Sequence, residues 1–201
     1  MNTHSFKFAG IAAIALAILF PVYWLYAFGT LSAESFEVAF QEDLTNLNGW
    51  DALFVVIGIL EIGVYVALAK LCRNQLNGSL PAALLIIMAV VVGLFHATVL
   101  VDIALALGLT TLNDTLLNVT VIFSLICLFL YAVAAFIFAI SMLVRFAQLA
   151  MPLKVFSVGL LIACVFQFTV VLGIVNIFLF PVLLIVLAMQ FFRGDHEVEV
   201  V

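Results

Sequence analysis

The sequence predicts an all-α polytopic membrane protein, a six-helix transmembrane bundle with both termini cytoplasmic. Three observations carry that expectation. Of the 201 residues, 68% are hydrophobic and only 8% charged, against roughly 25% charged in soluble domains. The apolar residues fall into runs long enough to cross a bilayer, which takes about 20 residues. The six Lys and Arg all lie in alternate connections between those runs. Lipid must therefore be the solvent for most of the surface.

The first span is expected over residues 8–28. A short basic start before an apolar run is also the shape of a secretory signal peptide. Here the run continues through Pro21 into Tyr23, Trp24, Tyr26 and Phe28, and no A-x-A site follows, so retention is expected. The connection 29–50 is the longest. Within it Phe36, Phe40, Leu44 and Leu47 recur at helical spacing with acids on the other face. Ser32 suits the cap of such a helix and Glu34 its first turn. Helices that lie on lipid are rich in Lys and Arg, and this segment has neither. It is expected to pack on the outer mouth, as an ordered surface helix or a lid.

Spans two, three and four are expected over 52–69, 81–107 and 117–144. The last apolar stretch, Val155 to Phe192, is about 38 residues, or roughly 57 Å as one helix. That is nearly twice a hydrocarbon core of ~30 Å, so it must fold back. A turn from Gly173 to Asn176 gives spans 155–173 and 176–192. All six form a single domain covering 1–201.

Alternating spans put Lys7, Lys70, Arg73, Arg145, Lys154 and Arg193 on one side. The opposite loops hold Glu34, Glu37, Glu42, Asp43, Asp51 and Asp114 and no cation. The positive-inside rule then places both termini in the cytoplasm, with the cell (inner) membrane as location. Trp24, Trp50, Tyr23 and Tyr26 gather at the outer interface, as an aromatic belt does.

Several chemistries are excluded. No basic run supports nucleic-acid binding. Cys72, Cys127 and Cys164 are scattered, with no C-x-x-C, so neither a disulfide framework nor structural zinc is expected. A retinal needs a mid-span lysine, and every lysine here is at an edge. Bis-histidine haem needs two buried histidines, but His4 and His196 are in the tails. The G-x-S-G and G-x-G-D protease motifs, the N-P-A water-channel motif and the T-V-G-Y-G filter are absent. The Arg193-Gly194-Asp195 triplet falls on the cytoplasmic side, away from any adhesion partner. Asn113-Asp114-Thr115 is an outward-facing sequon. No cofactor is expected.

Polar groups inside spans carry the site expectation. A charge at the bilayer centre costs about 2.5–3.5 kcal/mol on insertion scales, so Glu61, His96 and Asp102 should face the protein interior. Spans two and three are antiparallel neighbours, which makes a Glu61–His96 contact geometrically reasonable. Gly58, Glu61 and Tyr65 share one face, with Gly63 and Ala67 beside it. Ala89, Gly93 and Ala97 form a small-residue seam next to His96. Asp102 lies about 120° around from His96 at 100° per residue, on the face of Thr98, and is expected as a gate or boundary residue. A zinc site from His96, Glu61 and Asp102 is therefore disfavoured. Span four carries Thr120, Ser124, Cys127, Tyr131 and Ala135 as a weakly polar stripe, and span five adds Gln167 near mid-membrane.

These residues define the expected function. Glu61, His96, Tyr65, Thr120, Ser124, Tyr131 and Gln167 would surround a polar cavity that binds a small solute or passes protons. Such a small-solute or proton-linked binding or transport protein is the leading expectation. The alternatives are a non-catalytic accessory or structural subunit of a larger membrane complex, where the hydroxyls only tie helices together, and an enzyme on a lipid or quinone using His96 or Glu61 as base. Non-enzymatic readings lead. Expected partners are the lipid bilayer, a small-molecule ligand, and a second copy or other membrane subunits.

In size and six-span topology the chain is similar to the substrate-binding subunits of vitamin-uptake transporters. Ala9, Ala13 and Ala17 on span one resemble the small-residue face by which those subunits dock with partners. The likeness is one of fold and implies no ligand.

Overall fold

The computed structural model describes residues 3–33, 36–76, 79–169 and 171–193. Among them there is no strand. Eight α-helices follow in order: α1 (Thr3–Ala33), α2 (Phe36–Thr45), α3 (Gly49–Leu76), α4 (Ser79–His96), α5 (Val99–Ala106), α6 (Asp114–Leu143), α7 (Met151–Phe168) and α8 (Asn176–Arg193). Six stretches are long and apolar enough to cross a membrane: Phe6–Thr30, Gly49–Asn74, Ser79–Ala106, Asp114–Leu143, Met151–Phe168 and Leu172–Arg193. This is the construction of an integral membrane protein.

The spanning helices run up and down in chain order and close into a ring. Each packs chiefly on its predecessor and successor, and α8 returns to α1. The start of α1 meets the end of α8, where Phe6 and Phe191 stack with centroids 6.2 Å apart. Both ends of the described chain therefore lie at one end of the bundle, called here the terminal end. The other, the capped end, carries α2. All six Lys and Arg sit toward the terminal end, as alternation requires.

Close packing drives association where lipid is as apolar as the helices themselves, and small residues supply it. Ala13 and Ala135 are fully buried, as is Leu16. A Cβ on Gly10 would lie 2.8 Å from the Phe192 ring, so the α1–α8 approach requires glycine or a displaced ring. Conversely, the faces turned to lipid keep Phe8, Ile11, Ile18, Leu125 and Phe129 exposed, which is the normal state of a membrane helix.

Element ends have local causes. Asn48 and Asp51 open α3 as a capping box: Asn48 Oδ1 accepts from Trp50 N at 2.8 Å, and Asp51 Oδ2 accepts from Asn48 N at 2.6 Å. Gly108, at φ +67°, ends α5 in a Schellman turn, with Leu109 N donating to Ala104 O and Gly108 N to Leu105 O. Asn113 caps α6 by accepting from Leu116 N at 2.9 Å. Pro152 stands in the first turn of α7, where its missing N–H costs nothing.

Four boundaries differ from the sequence expectation. The second span runs on past Ala69 through Lys70 to Leu76, because a helix does not stop where its residues leave the apolar zone. The third span is kinked at 97–98, where Thr98 N bonds Phe95 O and Leu100 N bonds Ala97 O in tighter three-residue steps. The fifth helix ends at Phe168, and a 3₁₀ turn, Val171–Val175, makes the reversal that was expected at 173–176. Finally, Ser32 lies inside α1; Leu47 lies beyond α2 and is exposed, whereas Leu44 is buried. Glu34 lies outside the described residues.

Candidate functional site

Glu61 sits midway along its span, on α3, and is 6% exposed. Four residues on, one helical turn away on the same face, Tyr65 is buried almost completely and its hydroxyl donates to Glu61 Oε1 at 2.7 Å. The Tyr65 hydroxyl in turn meets the Tyr131 hydroxyl of α6 in a short hydrogen bond. With Glu61 ionised, Tyr65 gives its one proton to the carboxylate and Tyr131 donates in the second bond. A hydrogen-bonded chain of Tyr131, Tyr65 and Glu61 thus links α6 to α3. Helices α3 and α6 each pack on α4, and Tyr65 and Tyr131 bridge from one to the other.

His96 lies beside this chain without joining it. Its ring fits against Gly58, one turn from Glu61 toward the capped end. A Cβ at Gly58 would stand 2.5 Å from His96 Cγ, so this glycine exists to admit the imidazole. The ring stacks on Phe54 with centroids 4.2 Å apart, and Nδ1 pairs with the Val92 carbonyl at 2.9 Å. Glu61 and His96 share no hydrogen bond. A Cβ at Gly93 would lie 3.5 Å from Ile62 Cδ1 of α3, so α4 turns this small residue of the seam toward α3.

The remaining expected residues divide. Thr120 is buried but returns its hydroxyl to the Leu116 carbonyl of its own helix at 2.9 Å. Ser124 is half-buried on the same inward stripe as Cys127. Gln167 is not at mid-membrane. Because α7 ends at Phe168, Gln167 lies in its last turn, where Oε1 accepts from Asn176 Nδ2 at 3.2 Å. Asn176 Nδ2 also donates to Ala163 O at 2.9 Å, which ties the α7–α8 reversal. Asp102, on α5 beyond the interruption at 97–98, lies at the capped end as its spacing from His96 requires; it is 8% exposed and its Oδ1 has no hydrogen-bond partner.

Around Asp102 the capped end gathers acids and aromatics. Tyr26 and Trp50 stack almost parallel at 3.9 Å, Tyr23 stacks on Phe54 at 5.3 Å, and Trp24 lies along Phe95. Tyr26, Thr30, Glu42, Asp43, Asn46 and Asn48 line a hollow of 280 Å³ between α1 and α2. Asp43 keeps much of its side chain in the open. Burial of its carboxyl end against the bundle nevertheless raises it above the usual aspartate value, and the nearby Asp51 charge adds to the rise.

Sequence reading missed the Asn48–Asp51 capping box, although N-x-x-D ahead of an apolar run is its signal. It also missed that Glu61 pairs with tyrosines, for which the i, i+4 spacing of Glu61 and Tyr65 was available. Among the described residues no group of three His, Cys, Asp or Glu side chains could hold a metal ion, and Cys72, Cys127 and Cys164 are free and buried. No protein-family profile, curated protein or solved structure matches this chain.

Proposed function

We propose that the protein is a proton-linked binding or transport protein for a small solute, with Glu61 as the proton-carrying group. The observation behind this reading is the ordered Tyr131–Tyr65–Glu61 chain at mid-span. Helix glue in membranes rarely needs a carboxyl, since hydroxyl and amide pairs already contribute about 0.6 kcal/mol each. A carboxylate at the end of two aligned hydroxyls can take the Tyr65 proton as Tyr65 takes that of Tyr131 and Tyr131 takes one from outside the chain, after which each O–H turns to restore the order. His96 and Gly58 would set the position of the α3 face that carries it.

On the positive-inside rule the terminal end faces the cytoplasm and the capped end faces outward, in the cell membrane. Polar residues line the capped end, which favours access to Glu61 from that side.

The test is proton flux into liposomes carrying the purified chain, read with an enclosed pH dye under an imposed diffusion potential. Flux above that of empty liposomes is expected, and Glu61→Gln should reduce it to the empty level. Flux equal in wild type and Glu61→Gln would sink the reading.

One feature favours a second reading, an accessory subunit of a membrane complex. Ala9, Ala12, Gly63 and Ala67 leave a lipid-facing groove of 210 Å³ between α1 and α3 that ends at Lys70, and small residues of this kind admit a partner helix. Gly63→Leu would fill the groove, since nothing stands within 4 Å of a Cβ there. Loss of co-purifying chains in that variant, with flux absent in wild type, would favour the accessory role.

A further inference from the structure

Charge is divided between the two ends of the bundle. No Asp or Glu occurs before Glu34, between Glu61 and Asp102, or between Asp114 and Asp195. Among the described residues the terminal end therefore carries cations and no carboxylate. Those cations are not equivalent. Lys154 lies over the Phe146 ring, 5.0 Å from its centroid. Lys70 instead stands exposed at the end of the 210 Å³ groove between α1 and α3. Arg73, three residues on and so on the adjoining surface of α3, is exposed as well.

The groove itself is apolar and open. Ala9 and Ala67 are buried in it, Ala12 and Gly63 keep it wide, and nothing stands within 4 Å of a Cβ at Gly63. From Gly63 to Lys70 it follows α3 for about 10 Å at helical rise. An apolar groove in lipid selects nothing by itself, because the tails are as apolar as the helices. The cation at its end supplies the selection. A lysine near a helix end lays its stem along apolar surface and lifts its head to the level of the headgroups. There its three N–H donors need acceptors, and the chain provides no carboxylate at that end.

We propose that this groove binds an anionic phospholipid, with one acyl chain along Ala9, Ala12, Gly63 and Ala67 and the phosphate accepting from Lys70 Nζ. Phosphate oxygens accept and an ammonium donates, so the two match in charge and in hydrogen bonding. Arg73 adds a second positive charge at the same level. Basic pockets between helices on the cytoplasmic side are places where such headgroups bind. A partner helix, the occupant under the accessory reading, fits less well. With its side chains it is 10–12 Å across, so it would lie over the groove and over Lys70. It would then have to bring an anion of its own, since a covered cation without a partner is costly. An acyl chain enters the groove and leaves Lys70 at the surface beside the phosphate. The site does not depend on Glu61, which is buried on the interior side of α3.

The experiment titrates the full chain in detergent micelles with dioleoylphosphatidylglycerol or dioleoylphosphatidylcholine and counts the lipids retained by native mass spectrometry. The anionic lipid should bind about tenfold tighter than the zwitterionic one, and it should raise the melting temperature, since it binds the folded state. Lys70→Gln should weaken phosphatidylglycerol about fivefold, the effect of one cation near an anionic surface, and leave phosphatidylcholine unchanged. Because Lys70 is exposed, that variant should melt with wild type when no lipid is added, which separates lost binding from lost folding. Gly63→Leu fills the groove and should lower retention of both lipids. Lys154→Gln should bind as wild type does, which distinguishes a site from diffuse surface charge. Glu61→Gln should retain lipid while losing proton flux, so this proposal and the transport reading fail separately. Equal retention of the two lipids, undiminished phosphatidylglycerol binding by Lys70→Gln, or an equal loss in Lys154→Gln would overturn the proposal. So would a co-purifying chain, in place of lipid, that Gly63→Leu releases.

Discussion

The two ends of the bundle are packed to different standards. From the level of Tyr65 toward the termini, Leu68, Leu71, Leu85, Phe138, Met142, Leu153, Phe156 and Phe191 are almost wholly enclosed. Toward α2 the helix of the third span is interrupted at 97–98, and enclosed polar atoms of Asp102 and Asn176 lack partners. Among the described residues, Gln190 Oε1 is the one such atom on the terminal side. The difference is that between a plug and a vestibule. A proton carrier at mid-span needs one closed side and one side with polar capacity to spare, and the Glu61 chain sits where the two regimes meet.

The strongest way to break this comparison is to truncate aromatic rings at both ends. Phe138→Ala opens a cavity in the sealed half, and such changes cost about 3–5 kcal/mol. Phe95→Ala, at a half-buried ring of the capped end, should cost less than half as much. Unfolding in mixed micelles measures both. Equal losses would mean that the capped end is as tightly built as the other.

A smaller effect, but one with a change of sign, comes from two glycines of α3. Gly58→Ala forces a methyl to 2.5 Å from the His96 ring, an overpacking of about 1–3 kcal/mol. Gly63→Ala meets nothing within 4 Å and should stabilise by roughly 0.5–1 kcal/mol through the helix preference for alanine. If both stabilise, His96 does not occupy the notch that Gly58 makes. Smaller again is Tyr65→Phe, about 0.6 kcal/mol of stability. Its larger consequence is functional: proton flux should fall several-fold, because the chain from Tyr131 to Glu61 loses its middle hydroxyl.

Much of this was legible beforehand, for identifiable reasons. The six spans follow from composition and length, because lipid demands long apolar helices whatever their packing partners. The inward stripe of Thr120, Cys127, Tyr131 and Ala135 is plain helical periodicity. Glu61 and Tyr65 could be placed on one face by spacing alone. The partner of that face could not, since the level of α6 along its axis decides whether Tyr131 or Ser124 reaches Glu61. His96 was a reasonable partner by depth, but its ring was taken by Gly58 and Phe54. The interruption at 97–98 has no proline or glycine to announce it, although spacing alone already set Asp102 apart from His96 and near the boundary. Gln167 was misplaced because an apolar run does not show where one helix stops and a 3₁₀ turn begins.

The smallest expected effect concerns Asp43, and it examines the vestibule from the outside. Its carboxyl is raised above 3.8 by burial first and by the Asp51 charge second. In the folded chain it therefore holds a proton to higher pH than in the unfolded chain. Linkage then gives the sign: stability is fullest below the unfolded value and is lost as pH rises through the folded one. Melting temperature should accordingly decline over that window, and Asp43→Asn should remove that part of the decline. Salt divides the two causes. Screening weakens the contribution of Asp51 but leaves burial untouched, so added salt should flatten the wild-type slope only in part. A slope abolished by salt would make Asp43 a surface charge with a like-charged neighbour, and α2 would then be lying on the bundle without closing over it.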